Sequence, residues 1–84
     1  MFTVYVLYSA EFEKIYIGFT TDISSRFKSH NELATKGWTI RYRPWLILFT
    51  EEFETKAQAM KREKELKCGS GREYIWSLIK MRKR

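Results

Sequence analysis

One cysteine, one proline and four glycines are spread over 84 residues. The lone Cys68 excludes an intrachain disulfide, and it excludes a zinc cluster built on cysteines. A chain this small without such staples fits a reducing compartment. The chain also lacks a long apolar run, and its start, Met1-Phe2-Thr3-Val4-Tyr5, carries no basic n-region. Neither a signal peptide nor a transmembrane helix is expected, so the reading is cytoplasmic with no membrane partner. Repeats, linkers and low-complexity segments are absent apart from a basic end. The length leaves no room for a second core, so one domain over residues 1–80 with a basic tail at 81–84 is expected.

Acids are the other shortage. Ten Asp and Glu stand against sixteen Lys and Arg, which gives a net charge of +6. Such an excess favours a polyanionic partner, most simply nucleic acid. A generic basic protein would show the same balance, and part of the excess lies in Lys80, Arg82, Lys83 and Arg84, a tail that adds affinity without specifying a function. What the chain has in plenty is aromatic residues, 17% of the total, which help a short chain bury enough surface to fold.

Phe2 to Ser9 reads as a strand, Ala10 to Glu13 as a connector and Lys14 to Gly18 as a second strand, together a β-hairpin. Asp22 is the expected cap of a helix running to about Leu33, with Ile23, Phe27 and Ala34 as its apolar stripe. Residues Thr35 to Arg43 read as a basic, aromatic loop ended by Pro44. Trp45-Leu46-Ile47-Leu48-Phe49 is apolar throughout and reads as a strand buried on both faces, with helices on each side of the sheet. Thr55-Lys56-Ala57-Gln58 is a capping box opening a helix to about Lys67. Gly69 suits a left-handed position after it. Ser70-Gly71-Arg72-Glu73 reads as a further capping box, before a last helix with Tyr74, Ile75, Leu78 and Ile79 on its buried face. The fold class is α+β: a small three-stranded antiparallel sheet flanked by helices, in the order β-β-α-β-α-α.

With Ser9 opposite Lys14, Leu7 faces Tyr16 and Tyr5 faces Gly18. Tyr5 and Tyr16 are then diagonal neighbours on one sheet face, where two phenols can hold a water between them. Gly18 removes a side chain beside them and leaves an approach for an anion. Tyr is also an ordinary strand former at a core edge. Arg26 and His30 are four apart and share a helix face. Arg offers a planar fork for phosphate oxygens, and His30 offers a general base, a relay or a phosphate contact. A solvated surface pair would look the same. Glu63 falls among Ala59, Met60, Leu66 and Lys67 on the core-facing stripe of its helix, where an acid needs compensation. One divalent cation, Mg²⁺ or Mn²⁺, would supply it, and so would an ion pair with Arg26, Arg62 or Lys67. Lys36, Trp38, Arg41 and Arg43 interleave charge with aromatic surface, which suits nucleic acid, with Lys67 and Arg72 as further phosphate contacts. Trp38 and Trp45 serve equally as core anchors at the ends of a loop. Cys68 reads as structural.

Val4-Tyr5-Val6, Tyr16-Ile17-Gly18, Thr20 to His30 with Arg26, and Ala59 to Lys67 with Glu63 together resemble a GIY-YIG endonuclease domain of the stand-alone, single-domain type, from about Thr3 to Ile79. The first triplet keeps its Tyr and lacks the Gly. Phe19 follows the second, where the excision-repair nucleases of the family tend to carry Lys. No Asn follows Glu63 to match the late active-site Asn of those nucleases. The resemblance implies one metal ion on Glu63, Arg26 as phosphate and transition-state stabiliser, and Tyr5 or Tyr16 in activating the attacking water, with His30 near the site. It implies a metal-dependent endonuclease acting on DNA, at structured or damaged sites. A nucleic-acid-binding module with weak or no catalysis is the alternative. A monomer or weak dimer is expected.

Overall fold

The computed structural model describes residues 1–33 and 37–82. Strand β1, Phe2–Ser9, lies between β2, Lys14–Thr20, and β3, Leu46–Phe53, in an antiparallel sheet of order β2-β1-β3. The expected hairpin register holds: Ser9 pairs with Lys14, Leu7 with Tyr16 and Tyr5 with Gly18. A short helix α1, Ile23–Lys28, runs into a π turn over Ser29–Leu33, and a 3₁₀ helix covers Trp38–Tyr42. Helix α2 spans Lys56–Lys67 and α3 spans Gly69–Arg82. The α+β architecture read from the sequence is present. Ala34, Lys36, Lys83 and Arg84 lie outside the described residues.

Alternation along β1 builds two apolar layers. Val4, Val6 and Tyr8, with Ile15 and Ile17 of β2, meet Ala59 and Leu66 of α2 and Ile75 and Ile79 of α3. Tyr5 and Leu7 point the other way, toward Trp45, Tyr16, Tyr42 and the α1 residues Ile23 and Phe27. Helices therefore cover both faces. The strand buried on both is β1, where seven of eight residues are buried. Trp45 is buried just before the strand, and the rest of the apolar run, 46–49, belongs to an edge strand whose residues are exposed or half-buried, contrary to the sequence expectation. The reason is a bulge. Val6 pairs with Phe49 while its neighbour Leu7 pairs with Ile47, so Leu48 is the extra residue. Leu48 and Phe49 then both pack on the α2/α3 layer, and the run is apolar without alternation.

Five further expectations are corrected. The first helix does not stay regular to Leu33 but widens at Ser29. The segment read as a loop carries the 3₁₀ helix Trp38–Tyr42. Gly69 is not a left-handed terminator: Cys68 ends α2 in an extended conformation (φ −78°, ψ 170°) and Gly69 opens α3 at once. The second capping box does not form. The Cys68 carbonyl accepts from the Arg72 N–H at 2.9 Å, which leaves Ser70 inside the first turn. Gly71 is what this abrupt junction requires, since a Cβ there would run into the Glu65 carbonyl oxygen and Leu66 Cα. On α3, Tyr74 is exposed, and Trp76 packs on the core beside Ile75 and Ile79 instead. The Thr55–Gln58 capping box is present in full.

Candidate active site

The hairpin register puts Tyr5 and Tyr16 on the α1 face, their rings stacked at 6.2 Å and 29°. Gly18 opposite Tyr5 makes room for the phenol itself. A Cβ on Gly18 would stand 2.7 Å from Tyr5 Oη and 3.3 Å from the Tyr16 ring. The opening expected there for an anion is filled by Tyr5.

Asp22 caps α1, its Oδ1 accepting from the Ser25 N–H at 3.1 Å. Arg26 stands exposed in the last turn. One turn later the helix widens, and His30 turns inward to 8% exposure. Its Nε2 lies 3.0 Å from Tyr5 Oη and its Nδ1 lies 3.1 Å from Thr39 Oγ1. Its ring sits 4.7 Å from that of Tyr16. A π turn leaves carbonyls to be satisfied from elsewhere. Arg43 does this, donating from Nε to the His30 carbonyl at 2.5 Å and from Nη2 to the Ser29 carbonyl at 3.1 Å. Asn31 holds the Trp45 backbone at both ends: its Oδ1 accepts from Trp45 N–H at 2.6 Å and its Nδ2 donates to Trp45 O at 2.9 Å.

A cleft of about 350 Å³ results, lined by Tyr16, Arg26, Ser29, His30, Gly37, Trp38 and Thr39. A second cleft, lined by Thr20, Asp22, Ser25, Arg26 and Ser29, shares Arg26 with it. Burial first, then Tyr16, pushes the Tyr5 phenol well above its usual range, so Tyr5 is a neutral hydroxyl; Arg26 draws the pKa down and Glu63 raises it. Burial, then Arg26 and Arg43, lowers the pKa of His30. The imidazole is therefore neutral near pH 7 and able to accept a proton.

Glu63 comes from α2, whose core residues pack against the far sheet face, and its charge is felt at Tyr5. It is not central to the buried stripe. Ala59 and Leu66 are the buried positions of α2, Met60 is exposed, and the Glu63 side chain is 20% exposed with Lys67 Nζ at 3.4 Å. Among the described residues no three His, Cys, Asp or Glu cluster to form a metal site. The donor set fits an Mg²⁺-type ion on one carboxylate, completed by waters and phosphate oxygens.

Of the residues read as nucleic-acid contacts, Trp38 and Arg41 are exposed on the 3₁₀ helix beside the cleft. Trp38 stacks with Tyr16 at 6.5 Å and lies 4.7 Å from Tyr42, while Trp45 is buried as an anchor. Arg43 is directed at the π-turn carbonyls. Lys67 reaches Glu63, and Arg72 is exposed in the first turn of α3, away from the cleft face. Cys68 is exposed, its thiol donating to the Glu65 carbonyl at 2.8 Å.

A family model described as the GIY-YIG catalytic domain matches residues 1–74. The chain belongs to the GIY-YIG family. GIY-YIG domains mark a nuclease family and imply contact with nucleic acid. The chain is 33% identical over 61 residues to a UPF0213 protein of Staphylococcus haemolyticus, covering 73% of this chain and 74% of the relative. It is 34% identical over 68 residues to a UPF0213 protein of Staphylococcus aureus, covering 81% and 82%. It is 38% identical over 64 residues to one of Bacillus velezensis, covering 73% of this chain and 65% of the relative. No solved structure matches. In this GIY-YIG domain the residues that sequence reasoning missed are Thr39 and Asn31. Neither carries a charge or a motif, and each matters only through a partner distant in the chain. No helix among the described residues is long and apolar enough to cross a membrane.

Proposed function

We propose that this chain is a divalent-metal-dependent endonuclease that hydrolyses phosphodiester bonds in DNA where the strand is structured or damaged. The observation that carries the reading is the 3.0 Å contact between Tyr5 Oη and His30 Nε2, in a site that also holds Tyr16 and Arg26. Arg26 is exposed at the cleft and free in geometry to fork onto phosphate oxygens, where it offsets charge that grows in the transition state. Tyr5 takes a proton from the attacking water as its own proton passes to His30 Nε2. The P–O bond opposite the attacking oxygen breaks, and the leaving oxygen takes a proton from solvent. Tyr16 holds the Tyr5 ring in place and borders the water. A divalent cation, Mg²⁺ or Mn²⁺, held on Glu63 would supply further charge neutralisation at the phosphate. Exposed Trp38 beside Arg41 offers a face on which an unpaired base can stack, which supports a distorted target.

One contact favours the second reading, a binding module with weak or no catalysis. Lys67 Nζ already sits 3.4 Å from Glu63 and competes for its charge. Incubation of the pure protein with supercoiled plasmid and with branched or gapped oligonucleotides, with Mg²⁺ and with EDTA, separates the two. Cleavage only with the metal supports the endonuclease. Salt-sensitive binding without cleavage under either condition establishes the module.

A further inference from the structure

We propose that Thr39 is a positioning residue that fixes the tautomer of His30, holding Nδ1 protonated so that the bare Nε2 faces the Tyr5 hydroxyl. The proposal rests on the reading of Tyr5 and His30 as the proton-handling pair, and it names a member of the site that no sequence motif marks.

Thr39 is buried, at 7% exposure, on a 3₁₀ helix pinned from two sides. Its carbonyl accepts from Trp45 Nε1 at 2.8 Å, and Trp45 is itself held by Asn31 of the π turn. The Thr39 backbone is therefore held in place, which keeps its hydroxyl within reach of the ring. Two arrangements of protons satisfy the chain Tyr5–His30–Thr39. In one, Tyr5 donates to Nε2 and Nδ1–H donates to Thr39 Oγ1. In the other, Thr39 donates to Nδ1 and Nε2–H donates to Tyr5. A phenol is the strongest acid of the three and imidazole nitrogen the strongest base, while an aliphatic hydroxyl oxygen accepts better than a phenol oxygen. The first arrangement therefore matches each donor to the better acceptor. The groups facing the ring from each packed element are Tyr5 of β1, Tyr16 of β2, Arg26 of α1 and Arg43 after the 3₁₀ helix, in addition to Thr39. Neither arginine is an acceptor, so neither supplies a place for the Nδ1 proton.

The chain has one histidine, so a ¹⁵N-histidine spectrum reads His30 directly, with no nuclease assay. The wild-type protein at a pH where the ring is neutral should show protonated Nδ1 and bare Nε2. Thr39→Val keeps the shape and removes the acceptor; the tautomer ratio should move toward Nε2–H by roughly ten-fold, as expected for one lost buried hydrogen bond. Thr39→Ser keeps the hydroxyl and should keep the wild-type tautomer. In a cleavage assay, Thr39→Val should lower kcat by roughly ten-fold with KM little changed, and Thr39→Ser should restore it. An Nε2–H tautomer in the wild type, an unchanged ratio in Thr39→Val, or a Ser variant that loses the wild-type tautomer would each overturn the proposal. Where Val disturbs the fold, wild type and Thr39→Ser decide alone. A wild-type protein with the expected tautomer and no cleavage of any substrate would sink the endonuclease reading and leave the role of Thr39 in place.

Discussion

At the scale of single residues, the site separates groups fixed by packing from groups held only by charge. Glu63 is of the second kind. Its contact with Lys67 joins a side chain 20% exposed to one 51% exposed, four apart on a helix. Such a pair contributes about 0.5 kcal/mol or less. Glu63→Gln should therefore leave the melting temperature nearly unchanged, while metal-dependent cleavage drops on the order of 10²-fold. Melts with and without Mg²⁺ beside a nicking assay check both halves, and undiminished cleavage would remove Glu63 from the mechanism. His30 makes a different prediction. Burial, Arg26 and Arg43 hold its folded pKa below the ordinary 6.5. The unfolded chain binds a proton at a pH where the folded one does not, so the folded state loses stability as pH falls below about 6.5 toward the lowered value. Above 6.5 this contribution is fully present. The acid limb of the pH–rate profile should lie below 6.5 for the same reason. A limb at or above 6.5 would assign the base to another group.

At the scale of elements, regular pieces were legible and irregular ones were not. The hairpin register, the Asp22 cap and the Thr55–Gln58 box follow from local rules, and each is present. The paired tyrosines were legible because register alone sets a shared face. The inward turn of His30 was not, because a π turn depends on Arg43, thirteen residues away, supplying donors to two carbonyls. The β3 bulge hid the edge strand by making its apolar run continuous. Glu63 looked more buried than it is because it sits to one side of the line from Ala59 to Leu66, where its carboxylate reaches out to Lys67. The α2–α3 junction was misread in the same way: Gly69 looked like the needed glycine, and Gly71 is. Gly71→Ala should destabilise by about 1–3 kcal/mol, as overpacking against backbone does, and a urea titration would show it. A silent result would mean that α3 can shift freely on α2.

At the scale of the whole molecule, a net charge of +6 is combined with exposed aromatic surface beside the cleft. If about four phosphates are contacted, affinity for DNA should fall roughly 10²-fold over a four-fold rise in salt. Trp38→Ala should weaken binding to gapped or single-stranded DNA by roughly ten-fold or more through lost stacking, with a smaller effect on intact duplex. Titrations by fluorescence anisotropy at two salt concentrations measure both, and equal loss on duplex and gapped DNA would rule out a stacking role. The central position of β1 has a consequence for how such a protein changes over generations. Tyr5 lies on the strand that both apolar layers share, so a copy that discards it also endangers its fold. The fold holds Glu63 by little more than its partly exposed pair with Lys67. A lineage in which cleavage is no longer under selection should therefore shed the acid first and go on inheriting the tyrosine. The outward mark of a retired enzyme would then be a missing carboxylate on α2 above an unaltered sheet.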